Sequence, residues 1–361
     1  MSEAREAGAA PAGAVVVDDT LRRFAAAVFA RAGMSAAHAE TVADALVWAN
    51  LRGIDSHGVT RIPRYLEMID VGDLDPRPAL VVRVETPASV LIEADRAAGP
   101  VAMTFAMGSA VRKAKAVGVG LALVRATTHT AALGYYTLTA AQDGMAAIAL
   151  AGSVPMMAYH GARAAGVSTS PISIAVPGGA RGPLVLDMAT SIVSMGKLIR
   201  ARQIGGAIPE GWALDDHGHP TTDARTAAIP LPVGGPKGSG LSLMIECLTS
   251  LMVANPILAE ALSGTAEGHR HKQNGLALAI DVARFCDPAS FRDQVDRLIA
   301  TLKALPRAHD DVEILMPGER ARRTLEQRSR NGIPLPRSVM DELGAVAARL
   351  GVAMFSASAR A

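Results

Sequence analysis

Asp55-Ser56-His57-Gly58-Val59-Thr60-Arg61 brings an imidazole, a hydroxyl and a guanidinium into one short segment. Interconverting an alcohol and a ketone needs a group that takes or gives a proton near neutral pH, and histidine suits that task best. A small carboxylic acid also needs an anchor, for which a guanidinium offers two parallel hydrogen bonds. The same residues read equally as a helix entry, with Thr60 as the cap and His57 merely exposed. Thr127-Thr128-His129 follows an apolar run, and Thr130, Ala131 and Ala132 behind it are small enough for a ligand to come close. A satisfied loop histidine is the competing reading. Leu186-Asp187-Met188-Ala189-Thr190-Ser191 sets a carboxylate at a strand end before a helix. Asp187 there either caps that helix or holds a histidine in its reactive tautomer.

Other motifs bear on cofactors. A Rossmann protein carries G-x-G-x-x-G between its first strand and helix. The nearest match, Gly118-Val119-Gly120, precedes a strand, lacks the third glycine and reads as a turn. Gly234-Gly235-Pro236-Lys237-Gly238-Ser239-Gly240 is not a P-loop, because Lys237 precedes a glycine where a Walker motif needs Ser or Thr. It still places bare amides and an ammonium at a helix N-terminus, which suits an anion such as a pyrophosphate. A flexible loop with a surface lysine is the alternative. His269-Arg270-His271 has no accompanying carboxylate or cysteine pattern, so no metal site is expected there. His217-Gly218-His219 marks a turn.

The elements that must hold these residues are mixed. Leu21, Phe24, Ala25 and Phe29 repeat at helical spacing after caps at Asp18, Asp19 and Thr20. Ser35 starts a second helix that Gly53 ends, and a third runs from about Thr60 to Ile69. From about residue 80 short strands appear at Val81–Val84, Ser89–Glu93, Gly120–Val124, Met145–Ala151, Ile172–Val176, Leu184–Asp187 and Leu276–Asp281. Helices are expected at Val101–Val117, through Met195 and Ile199, at Gly240–Val253 and Phe291–Leu305, and again at the end. A loop-rich stretch separates Gly205 from Pro236. At 361 residues, half of them hydrophobic, the chain has ample core for two domains. Aromatics are 3%, so that core rests on Ala, Val, Leu, Ile and Met.

A formal charge of +2 without a basic cluster argues against nucleic acid and anionic membrane as partners. No apolar run is long enough to span a bilayer. Residues 1–14 read as a flexible leader without a signal-peptide core. Cys247 and Cys286, each flanked by apolar residues, read as buried, reduced thiols, with a disulfide as the alternative, and a cytoplasmic location is the simplest expectation.

Taken in order, DSHGVTRIPRYL, THTAALGYY, SPISIAVPG, LDMATS, IPEGWALDDHGHPTTDA, GGPKGSGLSLMIE and MPGER resemble the malate/L-lactate dehydrogenase family of the non-Rossmann type. That family includes ureidoglycolate, sulfolactate and diketogulonate oxidoreductases and the piperideine-2-carboxylate reductases. The resemblance covers residues from about 17 to 336 and implies a mixed α/β, non-Rossmann nicotinamide-binding fold with a helical N-terminal and C-terminal part. It implies a helical substrate and dimerisation domain over 15–75, rejoined by 306–361, and an α/β cofactor-binding domain over 76–305. It further implies a homodimer, a cofactor cleft between domains, and NAD or NADP as cofactor.

Carried over by residue, the resemblance makes His57 the proton donor and acceptor, steered by Asp187, with Ser56 and the second histidine His129 in the catalytic group. Arg61 binds the substrate carboxylate. Ser153, Ser168, Thr169, Ser170, Pro171, Asp187, Met188, Ala189, Lys237 and Gly238 line the nicotinamide cofactor, and Gly318, Glu319 and Arg320 lie near its adenosine end. The implied reaction moves a hydride between that cofactor and a small 2-hydroxy or 2-oxo acid. A cyclic imino acid reduced with NADPH is the alternative, and a binding protein without catalysis a remote one. Three departures stand out. Thr130-Ala131 replaces a family Phe-Gly, Ser168-Thr169-Ser170-Pro171 replaces Gly-Thr-Asn-Pro, and Ser239 replaces an aromatic.

Overall fold

The computed structural model describes residues 13–265 and 272–355. His269 to His271 and residues 1–12 of the expected leader lie outside the described residues. The chain divides into two compact units, Met1–Glu67 with Ala321–Ala361, and Met68–Arg320. These units meet at 67/68 and 320/321, whereas the resemblance implies 75/76 and 305/306.

The chain opens with β1 (Ala14–Val16), α1 (Asp18–Arg31), α2 (Ala36–Leu51) and α3 (Ile62–Asp70). Then come β2 (Val81–Glu85), β3 (Ser89–Glu93), α4 (Gly99–Val117), β4 (Val119–Thr127), α5 (Gly134–Gln142) and β5 (Met145–Ser153). β6 (Met157–Ala158), β7 (Ala165–Val167), β8 (Ile172–Val176), β9 (Leu184–Met188) and α6 (Met195–Ile204) follow. Next are β10 (Ala213–Leu214), β11 (Pro220–Thr221), β12 (Ile229–Pro230), α7 (Pro236–Glu246) and α8 (Leu258–Ser263). The last are β13 (Gln273–Asp281), α9 (Pro288–Lys303), α10 (Glu319–Asn331), β14 (Ile333–Leu335) and α11 (Arg337–Leu350).

In the smaller unit α1 buries Leu21, Phe24, Ala25, Val28 and Phe29, an apolar stripe at helical spacing, and packs on α2. Ser35 caps α2 by accepting the His38 N–H at 3.2 Å. The Phe29 and Tyr65 rings lie 5.9 Å apart, tying α1 to α3. The expected leader ends sooner than residue 14: Ala14–Val16 is a strand, paired antiparallel with Ile333–Leu335. A strand of three residues leaves too short a pattern to stand out in a sequence.

The larger unit is built on a seven-stranded sheet in the order β2-β3-β4-β13-β5-β8-β9. β3 and β4 run parallel, and every other neighbouring pair is antiparallel. A Rossmann fold needs successive parallel βαβ units, so the missing glycine fingerprint has a topological counterpart. The strands explain how a chain poor in aromatics fills its core. Ala122, Ala147, Ala149, Ala151, Ala277 and Ala279 pack with α4 and α5 on one face of the sheet. Leu123, Leu150 and Leu276 turn to the other face and pack with Ile245 of α7. Alternating small and large residues bring α4 very close: a Cβ at Gly120 would lie 1.9 Å from the Ala110 carbonyl.

Two expectations change here. The stretch from Gly205 to Pro236 is not unstructured: β10, β11 and β12 form a small antiparallel sheet over a core of Val193, Leu198, Ile208, Ala213, Ala224 and Ala227. Two-residue strands carry no periodicity, so only turn residues were legible there. The cysteines are both free, but Cys286 is exposed and Cys247 half-buried, and their apolar neighbours Phe285 and Leu248 are themselves exposed. Among the described residues no helix is long and apolar enough to cross a membrane.

Candidate active site

Asp55 to Arg61 folds as two successive 3-10 turns rather than as a capped helix entry, and Thr60 caps nothing. Gly53, with φ +75°, ends α2 and turns the chain back. The loop then closes on Asn50, a buried residue in the last turn of α2. Its side-chain amide donates to Asp55 Oδ1 at 2.7 Å, and its Oδ1 accepts the Val59 N–H at 2.8 Å. Gly58 lies flat against that amide, where a Cβ would come within 2.2 Å of Asn50 Oδ1. His57 is half-buried, not exposed, and its Nδ1 lies 3.0 Å from Ser56 Oγ. Arg61 Nε donates to the Ser56 carbonyl at 2.6 Å.

The electrostatics of this segment are unusual. Burial, and then the Arg61 charge, push the His57 imidazole down to about 4, so that it is neutral at physiological pH. Burial also pulls the Arg61 guanidinium below its ordinary value, and Arg64 adds to this while Tyr65 opposes it. No acidic side chain among the described residues pairs with Arg61. A buried cation without a counter-charge is costly unless a ligand supplies one.

In the larger unit, His129 follows β4 on a tightly held turn. Thr127 and Thr128 hydroxyls both donate to the Ala97 carbonyl at 3.0 Å. Tyr136 Oη donates to the Thr130 carbonyl at 2.7 Å. Gly99 passes so close beneath that a Cβ would lie 2.3 Å from the His129 carbonyl. Asp187 does not cap its own following helix, since Ser194 does that. It accepts the Gly134 N–H at 2.8 Å, at the N-terminus of α5, in the segment that begins at His129. A second tie, Thr137 Oγ1 to Ser173 Oγ at 2.7 Å and Ser173 Oγ to the Leu186 carbonyl at 2.9 Å, fixes α5 against β8 and β9. The Asp187 carboxyl is open to solvent on one side but crowded by protein. Desolvation pushes it up to about 6, against the opposing Gly134 hydrogen bond.

The residues expected to line a nicotinamide cofactor fall into two kinds. Lys237 is exposed in the first turn of α7, and Gly234 and Gly235 both turn through positive φ just before it. At Gly238 a Cβ would lie 2.6 Å from the Thr190 and Val233 carbonyls, so the helix start packs directly on the chain after β9. Thr190 Oγ1 is buried there with no hydrogen-bond partner among the described residues. The α7 amides expected to be bare are not: the Lys237, Gly238 and Ser239 N–H groups donate to the Gly234, Val233 and Gly235 carbonyls, so the orphaned Thr190 hydroxyl and the Lys237 ammonium are the groups that fit a polar, anionic dinucleotide. Ser153, Ser168 and Ser170 are of the other kind. Ser153 Oγ meets Ser168 Oγ at 2.6 Å, Ser170 Oγ meets Ser242 Oγ at 2.9 Å, and Ser242 Oγ donates to the Ser168 carbonyl at 2.7 Å. These four hydroxyls are buried and bind the 168–171 turn to α7.

Gly318, at φ +83°, packs on Val185, and the Val185 N–H donates to the Pro317 carbonyl. That sets the MPGER run beside β9, two positions from Asp187. Glu319 is buried and committed: Lys303 Nζ lies 2.8 Å from one oxygen, which also accepts the Met316 N–H at 3.1 Å.

A family model for malate/L-lactate dehydrogenase matches residues 16–344. The chain belongs to the malate/L-lactate dehydrogenase family. It is 36% identical over 348 residues to a malate dehydrogenase of Pyrococcus horikoshii, covering 93% of this chain and 96% of that one. The solved malate dehydrogenase from Pyrococcus horikoshii OT3 matches its fold with a TM-score of 0.87 at 32% identity, covering 97% of this chain and 99% of that one. An Escherichia coli (strain K12) ureidoglycolate dehydrogenase (NAD(+)) is 32% identical over 302 residues, 83% of this chain and 86% of that one. A solved delta1-piperideine-2-carboxylate reductase from Pseudomonas syringae pvar. tomato has a TM-score of 0.82 at 26% identity, over 92% of this chain and 99% of that one.

Membership in the malate/L-lactate dehydrogenase family gives the departures a physical meaning. Ala131, where the family pattern has glycine, sits at φ +54°, a left-handed conformation that costs a Cβ-bearing residue roughly 1–2 kcal/mol. The fold keeps the turn and carries the strain. Ala131→Gly should therefore leave stability unchanged or raise it by up to about 1 kcal/mol, the relief being partly offset by the looser unfolded chain. Thermal melts check this, and a clear drop in stability would refute it. Ser170, in place of the family asparagine, spends its hydroxyl on Ser242 of α7. Ser239, in place of an aromatic, is buried with its hydroxyl near the Gly235 and Pro236 carbonyls.

Asn50, Thr190 and Ser242 were not legible as site residues. The first and last are lone polar side chains in helices, and nothing local distinguishes them from a solvated face.

Proposed function

We propose that this chain is an NAD(P)-dependent 2-hydroxyacid dehydrogenase whose substrate is held by Arg61 and whose proton is moved by His57. The observation that carries this reading is Arg61, a half-buried guanidinium without an acidic partner, next to an imidazole held neutral. A small 2-hydroxy or 2-oxo acid supplies the missing negative charge. Arg61 spends Nε on the Ser56 carbonyl, which leaves its two terminal nitrogens to grip a carboxylate side by side. Ser56 fixes the rotation of the His57 ring through Nδ1. In the oxidising direction neutral His57 takes the hydroxyl proton, and in the reducing direction it returns one. Bound nicotinamide supplies the hydride donor or acceptor. Lys237 would hold its pyrophosphate, Thr190 and the segment from Asp187 to Ala189 its nicotinamide end, and the Gly318 turn with Arg320 its adenosine end. His129 and Asp187 are further titratable groups of this machinery.

The test follows reduced-nicotinamide absorbance with purified protein, offering NADH and NADPH each with pyruvate, oxaloacetate, glyoxylate derivatives and piperideine-2-carboxylate. Loss of signal with an open-chain oxo acid supports the reading and names the cofactor. Turnover restricted to the cyclic imine overturns the hydroxy-acid assignment.

Asp187 gives a second test, with a worked sign. Its folded-state pKa lies above the ordinary 3.8, so the folded protein holds that proton more tightly than the unfolded chain. The stability it contributes is present below 3.8 and is lost as pH rises through about 6. Asp187→Asn keeps an acceptor for Gly134 and removes the charge. It should raise the melting temperature at neutral pH while lowering turnover, the trade expected of a carboxylate retained for function. A variant no more stable than wild type at neutral pH would contradict this.

The chain is further proposed to act as a homodimer. Leu241, Met244, Leu248 and Leu251 form an exposed apolar row along α7 and the turn that follows it, which supports burial against a second copy. Light scattering after gel filtration reads the mass. Two free thiols, one of them exposed, support a cytoplasmic setting.

A further inference from the structure

The loop that carries His57 and Arg61 is held from a helix far away in sequence. Arg328, on α10, makes a two-pronged ion pair with Asp55, at 2.6 Å to Oδ1 and 3.0 Å to Oδ2. The same guanidinium also donates to the Asn50 carbonyl at the end of α2. One turn earlier on α10, Thr324 packs under Gly53, where a Cβ would lie 3.2 Å from its methyl. Asp55 Oδ1 therefore receives donors from both Arg328 and Asn50, and Asn50 in turn holds the Val59 N–H. The Asp55 carbonyl accepts the Gly58 N–H, and the Ile54 carbonyl accepts that of His57. One guanidinium thus ties the end of α2 to the Asp55 carboxylate at the start of the loop.

We propose that Arg328, acting through Asp55, is a positioning residue for the reaction: it sets the loop geometry that aims His57 and Arg61 at a bound 2-oxo or 2-hydroxy acid. This rests on the reading of His57 and Arg61 given above. Three features support a positioning role over a merely structural one. The Arg328 side chain is 15% exposed and that of Asp55 48%, so the pair is shielded from solvent on the arginine side only, and its two-pronged geometry sets it apart from a fully exposed ion pair. The fork geometry fixes direction as well as distance, which a lysine at this position would not do. The segment it grips contains the two groups whose mutual placement the chemistry needs, and an error of about 1 Å in such placement costs up to roughly 100-fold in rate.

The experiment uses the full chain and compares Arg328→Met, Arg328→Lys and Asp55→Asn with wild type and with His57→Ala. Three quantities are read: kcat, KM for the oxo acid, and Kd for the reduced cofactor by fluorescence. In Arg328→Met, kcat/KM for the oxo acid should fall about 10- to 100-fold while the cofactor Kd stays within about twofold. Arg328→Lys should recover only part of the loss, because charge without the fork does not restore direction. Asp55→Asn is nearly isosteric and keeps an acceptor for Asn50, so it carries the test if Arg328→Met fails to fold. It too should lose kcat/KM and keep cofactor affinity. Wild-type kcat/KM in both folded variants overturns the proposal, as does a proportional loss of cofactor affinity. His57→Ala separates the two claims: if it alone retains turnover the reading of the site fails, whereas if it is inactive and the Arg328 and Asp55 variants are normal, only the positioning claim fails.

Discussion

His57→Ala should lower turnover by about 10²- to 10⁴-fold, the range for loss of a general acid–base group. Reduced-cofactor binding should survive, because Lys237 and Thr190 belong to the larger unit and do not depend on this ring. The direction of the pH effect follows from burial. With the imidazole pushed down to about 4, wild-type oxidation of a hydroxy acid does not lose its base near the ordinary histidine value of 6.5. Single-turnover measurements with saturating cofactor separate the chemical step from binding. A variant with near-normal turnover would remove His57 from the mechanism and leave His129, whose turn is equally well anchored, as the group to test next.

Arg61→Met should act chiefly on the substrate. The half-buried guanidinium has no acidic partner in the described chain, so a substrate carboxylate is the charge proposed to compensate it. Losing a two-pronged, desolvated ion pair costs about 2–5 kcal/mol, which corresponds to roughly 30- to 4000-fold in kcat/KM at about 1.4 kcal/mol per factor of ten. Arg61→Lys should recover only part of this, because an ammonium cannot make two parallel bonds. Steady-state kinetics with one oxo acid at saturating cofactor check it. Equal kcat/KM in wild type and Arg61→Met would show that the carboxylate is held elsewhere.

How much of this was legible in the sequence depended on distance along the chain. His57, Ser56 and Arg61 lie within six positions, so their chemistry showed in a single motif. Their support did not: Arg328 meets Asp55 across 273 positions, and Asn50 looks like any polar residue in a helix. Strands of nine residues such as β5 and β13 announced themselves, whereas the two- and three-residue strands did not. The short apolar runs of β4 and β13 mark strands, but not that the two pair antiparallel, since register and direction are settled by partners elsewhere in the chain. Asp187 was placed correctly at a strand end. Its hydrogen-bond partner was not, because Gly134 lies 53 positions earlier. The serines at 168 and 170 were legible as departures from a family pattern. That they bond to Ser242 required knowing where α7 packs.

The most direct test of the account is the fate of hydride. Reduced cofactor carrying deuterium at both C4 positions is turned over with the best oxo acid in ordinary water, and the hydroxy acid formed is analysed by mass and NMR. The account predicts one deuterium per product molecule at C2, with the hydroxyl proton drawn from solvent by way of His57. Product formed without deuterium at C2 would contradict direct transfer between nicotinamide and the carbon next to the carboxylate, and with it the proposed function.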